Sequence, residues 1–194
     1  MGFIMPSWLR IFRKGFILVC LYFSLSGVVC SSVYSASVSN VNIETDNIWV
    51  ILNADINYKL SPTAKRALDK GIALNWIVII KVQKIGVFWD ETVRELQIAY
   101  QIQNHALLNL YSVKRMENGE TEVFTTLTAA FNYISKIRQL SLIERHSLAQ
   151  DEDYFVAIKV LFNREALPVP LRPWSYFKSQ WALSSQWSIW QLQN

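Results

Sequence analysis

The sequence predicts a mainly β domain, a two-layer antiparallel β-sandwich of broadly immunoglobulin-like architecture with two or three short helices. Three observations lead there. Several segments after residue 48 alternate apolar and polar residues at period two, as strands with one buried face do. One further segment is apolar on both faces. The helical patterns are few and short, so the strands must bury their apolar faces mainly by packing sheet on sheet.

The first thirty-odd residues stand apart. Arg10, Arg13 and Lys14 precede an apolar run from Gly15 to Cys30, small and polar residues follow from Ser31 to Ala36, and no acid comes before Glu44. This is the order of a membrane-targeting leader, with Val33 and Ser35 at the positions signal peptidase reads. The run is shorter than the roughly 20 residues that span a bilayer. It therefore reads as a signal peptide cut after Ser35, with an uncleaved N-terminal membrane anchor as the alternative. Cations ahead of the run keep that end in the cytoplasm. Residues 36–194 are then one β-rich domain, periplasmic or exported, or held at the inner membrane by the anchor.

Both cysteines, Cys20 and Cys30, fall in the leader, where Val19 and Val29 precede them and disfavour lipidation. The domain itself has no cysteine, hence no disulfide, and depends on its core. The leader holds three of the 19 Lys+Arg and none of the 15 Asp+Glu, which leaves the domain 16 cations against 15 acids. That balance leaves no basic stripe along the sequence, and nucleic acid is set aside as a partner.

Trp49–Leu60 places Val50, Leu52, Ala54, Ile56, Tyr58 and Leu60 on one side and Asn53, Asp55, Asn57 and Lys59 on the other. Leu96, Ile98, Tyr100 and Ile102 alternate with polar neighbours in the same manner, as do Tyr154, Val156, Ile158, Val160 and Phe162. Leu74–Val82 is apolar on both faces and should be the most buried strand. Leu107–Arg115 and Glu120–Phe124 flank Asn118-Gly119, a tight hairpin turn. Ser61-Pro62 opens a first helix that Gly71 closes. Leu127, Ala130, Phe131, Ile134 and Ile137 predict a second over Thr126–Arg138. Ser141-Leu-Ile-Glu144, a capping-box pattern, predicts a third with Arg145 and His146 on its solvent side. Leu167–Pro173 is expected to be extended at a sheet edge, since its prolines cannot donate to a ladder. Ser179–Leu183 and Gln186–Leu192 are expected as closing strands.

Catalytic groups do not announce themselves. His105 and His146 lack neighbours with ligand spacing, and a metal site needs at least three converging donors. His105 reads as a polar turn residue. Asp151-Glu152-Asp153 lacks the spaced oxygens and glycine of a calcium loop and reads as a solvated turn. No Gly-x-Ser-x-Gly elbow and no phosphate-cradling loop occur. Asp90, Glu91 and Glu95 remain open to pairing with other carboxylates in space. The reading is a non-enzyme with no metal, no cofactor and no catalytic residue.

Aromatics are the unusual feature: Trp174, Tyr176, Phe177, Trp181, Trp187 and Trp190 crowd the last segment. They serve either as core fillers or as a stacking and anchoring surface. Trp187 and Ile189 share one strand face, Trp190 and Leu192 the other, so one of that tryptophan pair points away from the core. Trp190 and Trp174, with Arg172 and Lys178, are the candidate binding surface.

The order of several of these signals resembles a known pattern. Leu60-Ser-Pro-Thr-Ala-Lys-Arg-Ala-Leu-Asp-Lys-Gly-Ile72, Phe88-Trp89-Asp90, the strand ending at Tyr100, Phe131 to Ile137, Leu167-Pro-Val-Pro-Leu-Arg-Pro173 and Trp181-Ala-Leu-Ser-Ser-Gln-Trp187 follow one another. Together they resemble the proteobacterial domain-of-unknown-function family 4390 across nearly the whole domain. Ala73 departs from it where members often have proline. The resemblance implies an exported envelope protein with no defined catalytic residue, and an accessory role in envelope sensing beside a sensor kinase. It fits a non-enzymatic interaction module that meets an envelope or inner-membrane protein and touches membrane only through an uncleaved leader. The alternative is a small-ligand, glycan or lipid binder using the C-terminal aromatics.

Overall fold

The structure, a computed structural model, describes residues 34–149 and 151–192; all but the last two residues of the leader lie outside them. Among the described residues, β1 (Ser37–Thr45), β2 (Trp49–Asn57) and β7 (Lys136–Glu144) form a three-stranded sheet in the order β1-β2-β7. A six-stranded sheet runs β6-β5-β4-β3-β8-β9, built from β3 (Leu74–Lys84), β4 (Glu91–His105), β5 (Leu110–Arg115), β6 (Thr121–Phe124), β8 (Tyr154–Phe162) and β9 (Ser188–Leu192). Every pairing is antiparallel. Three helices join them: α1 (Pro62–Asp69), α2 (Leu127–Ile134) and α3 (Arg172–Phe177). The β-sandwich expected from the alternation is the fold.

Period-two patterning sets the core. β2 buries Val50, Leu52, Ala54 and Ile56; β3 buries Leu74, Trp76, Val78, Ile80 and Val82; β8 buries Tyr154, Val156, Ile158, Val160 and Phe162. These sets belong to one continuous cluster between the sheets. Trp76 stands edge-on to Tyr58 at 5.6 Å and to Phe131 at 5.6 Å, and tilts against Phe162 at 5.3 Å. Phe162 is in turn stacked by Trp181 at 5.9 Å. The aromatic chain thus ties β2, β3, α2, β8 and the C-terminal segment together. α1 forms where expected, with Ser61 as N-cap accepting from the Ala64 N–H at 3.1 Å and Gly71 ending it at φ +80°.

Other segments depart from expectation. The predicted helix over Thr126–Arg138 stops at Ile134, and the third helix predicted from Ser141 is strand β7. A bulge explains the misreading: the β2–β7 register shifts between Leu52 and Ala54, and Gln139 sits at φ +51°. One inserted residue converts period-two spacing into an apparent helical one at Ile137 and Leu140. A bulge at Asn40, φ +49°, likewise hides β1, which the alternation does not reveal. The Asn118-Gly119 hairpin is present as a four-residue loop closed by the Arg115 N–H on the Glu120 carbonyl at 2.9 Å, with Gly119 at φ +73°.

The C-terminal third differs most. Leu167–Pro173 is not extended; Val169–Leu171 is a 3-10 turn and Pro173 lies in the first turn of α3, where its missing N–H leaves no hydrogen bond unmade. Ser179–Leu183 is not a strand but a 3-10 turn leading into irregular chain. Its ladder is replaced by hydroxyls: Ser185 Oγ accepts from the Val160 N–H at 2.8 Å and Ser184 Oγ from the Phe162 N–H at 2.9 Å.

The sandwich has two unlike ends. At the hairpin end β3 hands over to β4 through residues 85–90, β1 to β2 through 46–48 and β7 to β8 through 145–153. At the helix end α1 joins β2 to β3, β4 turns into β5, and residues 163–187 lead from β8 to β9. The chain enters β1 at this helix end, with the Ala36 N–H on the Leu183 carbonyl at 3.2 Å and Ser37 opposite Asn57.

Candidate functional site

α3 is held to the helix end by its inner side. Ser175 is fully buried and its hydroxyl donates to the Arg172 carbonyl at 2.7 Å, while Arg172 Nε donates to the Leu167 carbonyl at 2.7 Å. The outer side is aromatic. Trp174 is 60 % exposed, Tyr176 56 % and Phe177 85 %. Cations cover two of these rings: Lys178 Nζ lies 5.5 Å from the Trp174 ring centre and the Arg164 guanidinium 5.4 Å from that of Tyr176. Such pairs attract through the ring quadrupole and stay accessible to a ligand on the open ring face.

Three of the four residues expected to bind therefore lie together: Arg172, Trp174 and Lys178. Trp190 does not join them. It is only partly exposed and packs on the core from β9, opposite Val156. Val156 is six residues along β8 from Phe162, a separation of about 20 Å at the rise of a strand. The outward tryptophan of that pair is Trp187, which faces solvent beside Ile189. Lys81 and Lys159 from β3 and β8 reach over its ring at 5.6 Å and 5.5 Å. Beside α3 runs a cleft of about 630 Å³ bordered by Lys159, Leu161, Arg164, Glu165, Tyr176 and Ser184.

A second aromatic feature, Phe88-Trp89, enters the sequence reading only as part of the family pattern and not as a surface. The β3–β4 connection exposes Val87 at 94 %, Phe88 at 87 % and Trp89 at 81 %, three adjacent apolar side chains at the hairpin end. The loop is tightly closed: the Gly86 N–H reaches Asp90 Oδ1 at 3.4 Å, and a Cβ on Gly86 would stand 1.9 Å from the Trp89 carbonyl oxygen. An apolar Val-Phe-Trp run just after a glycine, between two strands, was the available signal, because loop residues are seldom covered by core.

The carboxylates that sequence left open are engaged with lysines and amides. Glu95 pairs with Lys81 at 3.1 Å and accepts from Gln97 at 2.7 Å, and these two contacts hold its pKa below the usual carboxylate value. Glu152 pairs with Lys84 at 3.3 Å and raises the pKa of that lysine. His105 Nε2 hydrogen-bonds Ser112 Oγ at 2.8 Å, and His146, on a 3-10 turn, pairs with Glu144 at 3.1 Å. Among the described residues no three His, Cys, Asp or Glu converge as metal ligands, and no helix is long and apolar enough to cross a membrane.

No curated protein and no solved structure matches the chain. One family model does, over residues 34–191, from the start of the described domain through its last strand. The chain belongs to the family of the domain of unknown function DUF4390.

Proposed function

We propose that this chain is an exported protein of the bacterial envelope and works as a non-enzymatic interaction module, presenting the aromatic surface of α3 to an inner-membrane protein. One observation supports this above the others. A domain without disulfides turns Trp174, Tyr176 and Phe177 to solvent side by side, although each could have served its core. Clustered exposed Trp and Tyr beside Arg are the composition of protein-interaction hot spots. The leader read in the sequence supplies the export route, and the accessory role beside a sensor kinase comes from the family resemblance.

The test is a photo-crosslinking amino acid placed at Trp174 or Phe177 in living cells. A specific adduct with an envelope protein is expected at both positions and not at exposed Glu120. Absence of any adduct, with a purified protein that retains nothing from envelope extracts, would overturn the reading. The cleft beside Tyr176 favours a second reading, a small-ligand site in which that ring stacks on a glycan or lipid headgroup while Lys159 and Arg164 meet its anionic groups. Tryptophan fluorescence that stays unchanged across envelope glycans and lipids would remove it.

A further inference from the structure

We propose that the helix end of the domain is a seat for an anionic bilayer surface, with α1 supplying cations to lipid phosphates and α3 inserting its aromatics at the headgroup level. The proposal rests on the reading that α3 is a binding surface. It sets that surface at the lipid boundary beside an inner-membrane partner, in place of the expectation that the membrane is touched only through the leader.

Charge is sorted along the strand axis. At the helix end, residues 58–73 hold four Lys or Arg and one Asp, and residues 163–187 hold three Lys or Arg and one Glu. At the hairpin end, residues 46–48, 85–90 and 145–153 together hold five Asp or Glu and one Arg. The connections alone thus carry +5 at one end (seven cations, two acids) and −4 at the other (one cation, five acids). A domain with nearly balanced charge is in this way a strong dipole. The cations of α1 are available: Lys65, Arg66 and Lys70 are all exposed.

Apolar side chains are exposed at both ends, with Ile48, Val87, Phe88 and Trp89 among the acids of the hairpin end. At the helix end, however, the exposed aromatics stand beside cations, Lys178 on Trp174 and Arg164 on Tyr176. Trp174, Tyr176 and Phe177 stand there with Val169 at 70 % exposure, and the β4–β5 turn adds fully exposed Leu107 and largely exposed Leu108. Aromatics flanked by Lys and Arg favour the membrane–water interface, where the rings meet the headgroup boundary and the cations meet anionic phosphates. An acidic protein would match the charge but gives no reason for isolated apolar tips on separate loops.

The route of the chain points to the same end. Six residues separate Cys30, the close of the apolar leader run, from Ser37 at the start of β1. A link from residue 30 to residue 37 spans at most about 25 Å. An uncleaved anchor would therefore hold the helix end, not the hairpin end, close to the bilayer.

The experiment uses the full chain with Cys20→Ser and Cys30→Ser, carrying a single fluorophore at Val169→Cys or at Val87→Cys. Each form is reconstituted in vesicles containing doxyl-labelled lipid, made either of phosphatidylcholine alone or with phosphatidylglycerol added. Strong quenching is expected at 169 and little at 87 when phosphatidylglycerol is present, with quenching at 169 lost in phosphatidylcholine alone and in high salt. Lys65→Gln, Arg66→Gln and Lys70→Gln should each lower the ratio of seated to unseated domain about fivefold. Quenching at 169 no greater than at 87, or equal in both lipids, would overturn the seat. If crosslinks from 174 and 177 still reach an envelope protein in that case, the interaction module stands without the bilayer; if neither contact forms, both readings fall.

Discussion

Replacing Tyr58 by phenylalanine should make the domain more stable. Its ring sits in the core against Trp76 and Phe131, and that packing survives the change. Its hydroxyl, however, is buried with no hydrogen-bond partner among the described residues, and burial pushes the phenol pKa far above its ordinary value. A buried polar group without a partner costs about 1–3 kcal/mol. Deleting the oxygen leaves a void of roughly 15–20 Å³, which at about 24 cal/mol per Å³ returns only ~0.4 kcal/mol of that gain. The net expectation is about 1 kcal/mol of added stability, or roughly 2–4 °C in Tm for a domain of this size. Urea unfolding followed by tryptophan fluorescence measures it, and an unchanged slope confirms that the unfolded state is the same. A Tyr58→Phe variant less stable than the parent by 0.5 kcal/mol or more (roughly the resolution of such fits) would refute the argument, because the hydroxyl would then have been bonded.

Two further outcomes separate core from surface and fix the pH response. Trp181→Ala should cost about 3–5 kcal/mol, since Trp181 is buried on Phe162, whereas Trp174→Ala should change stability by less than about 0.5 kcal/mol; urea midpoints of the two variants decide it. Asp55 is held below the ordinary carboxylate pKa by hydrogen bonds from Asn40 and Arg138, and Glu95 by Gln97 and Lys81. Both are therefore more easily protonated when unfolded, so their stabilisation is full above the ordinary carboxylate pKa and is lost as pH falls through the lower folded value. Stability measured by denaturant titration should fall below about pH 4 and fall less steeply in Asp55→Asn.

The strands with clean alternation were legible from residues alone. Val50 to Ile56 and Tyr154 to Phe162 face the core as their spacing demands, and the Ser61 cap begins α1. What escaped has a common cause, which is tertiary structure overriding local pattern. β1 and β7 each contain a residue at positive φ that shifts the apolar phase, so Val38 and Val41, or Ile137 and Leu140, stand three apart on a strand. Ahead of β9, the hydroxyls of Ser184 and Ser185 take amides of β8, and Ser179–Leu183 forms no strand to be read. The candidate surface was half legible. Trp174 and Lys178 were identified by composition, but only the fold sends Trp190 inward and Trp187 outward. The charge dipole was invisible in the net balance, because cations and acids are interleaved along the chain and separate only when the strands are paired.

Asp55 has a consequence for how this family can drift in sequence. One oxygen of its carboxylate accepts from Asn40 at 2.9 Å on the β1 bulge and the other from Arg138 on the β7 bulge, while Asn53 next along β2 accepts from the Gln139 N–H at 2.9 Å. The two irregular strands are thus keyed to a single central strand through four side chains. A change at position 55 removes the side-chain partner of Asn40, whereas Arg138 still donates to the Ala54 and Ile137 carbonyls at 2.8 Å each. Lineages that lose the acid should lose the asparagine with it and straighten or re-site the β1 bulge, while the arginine can stay.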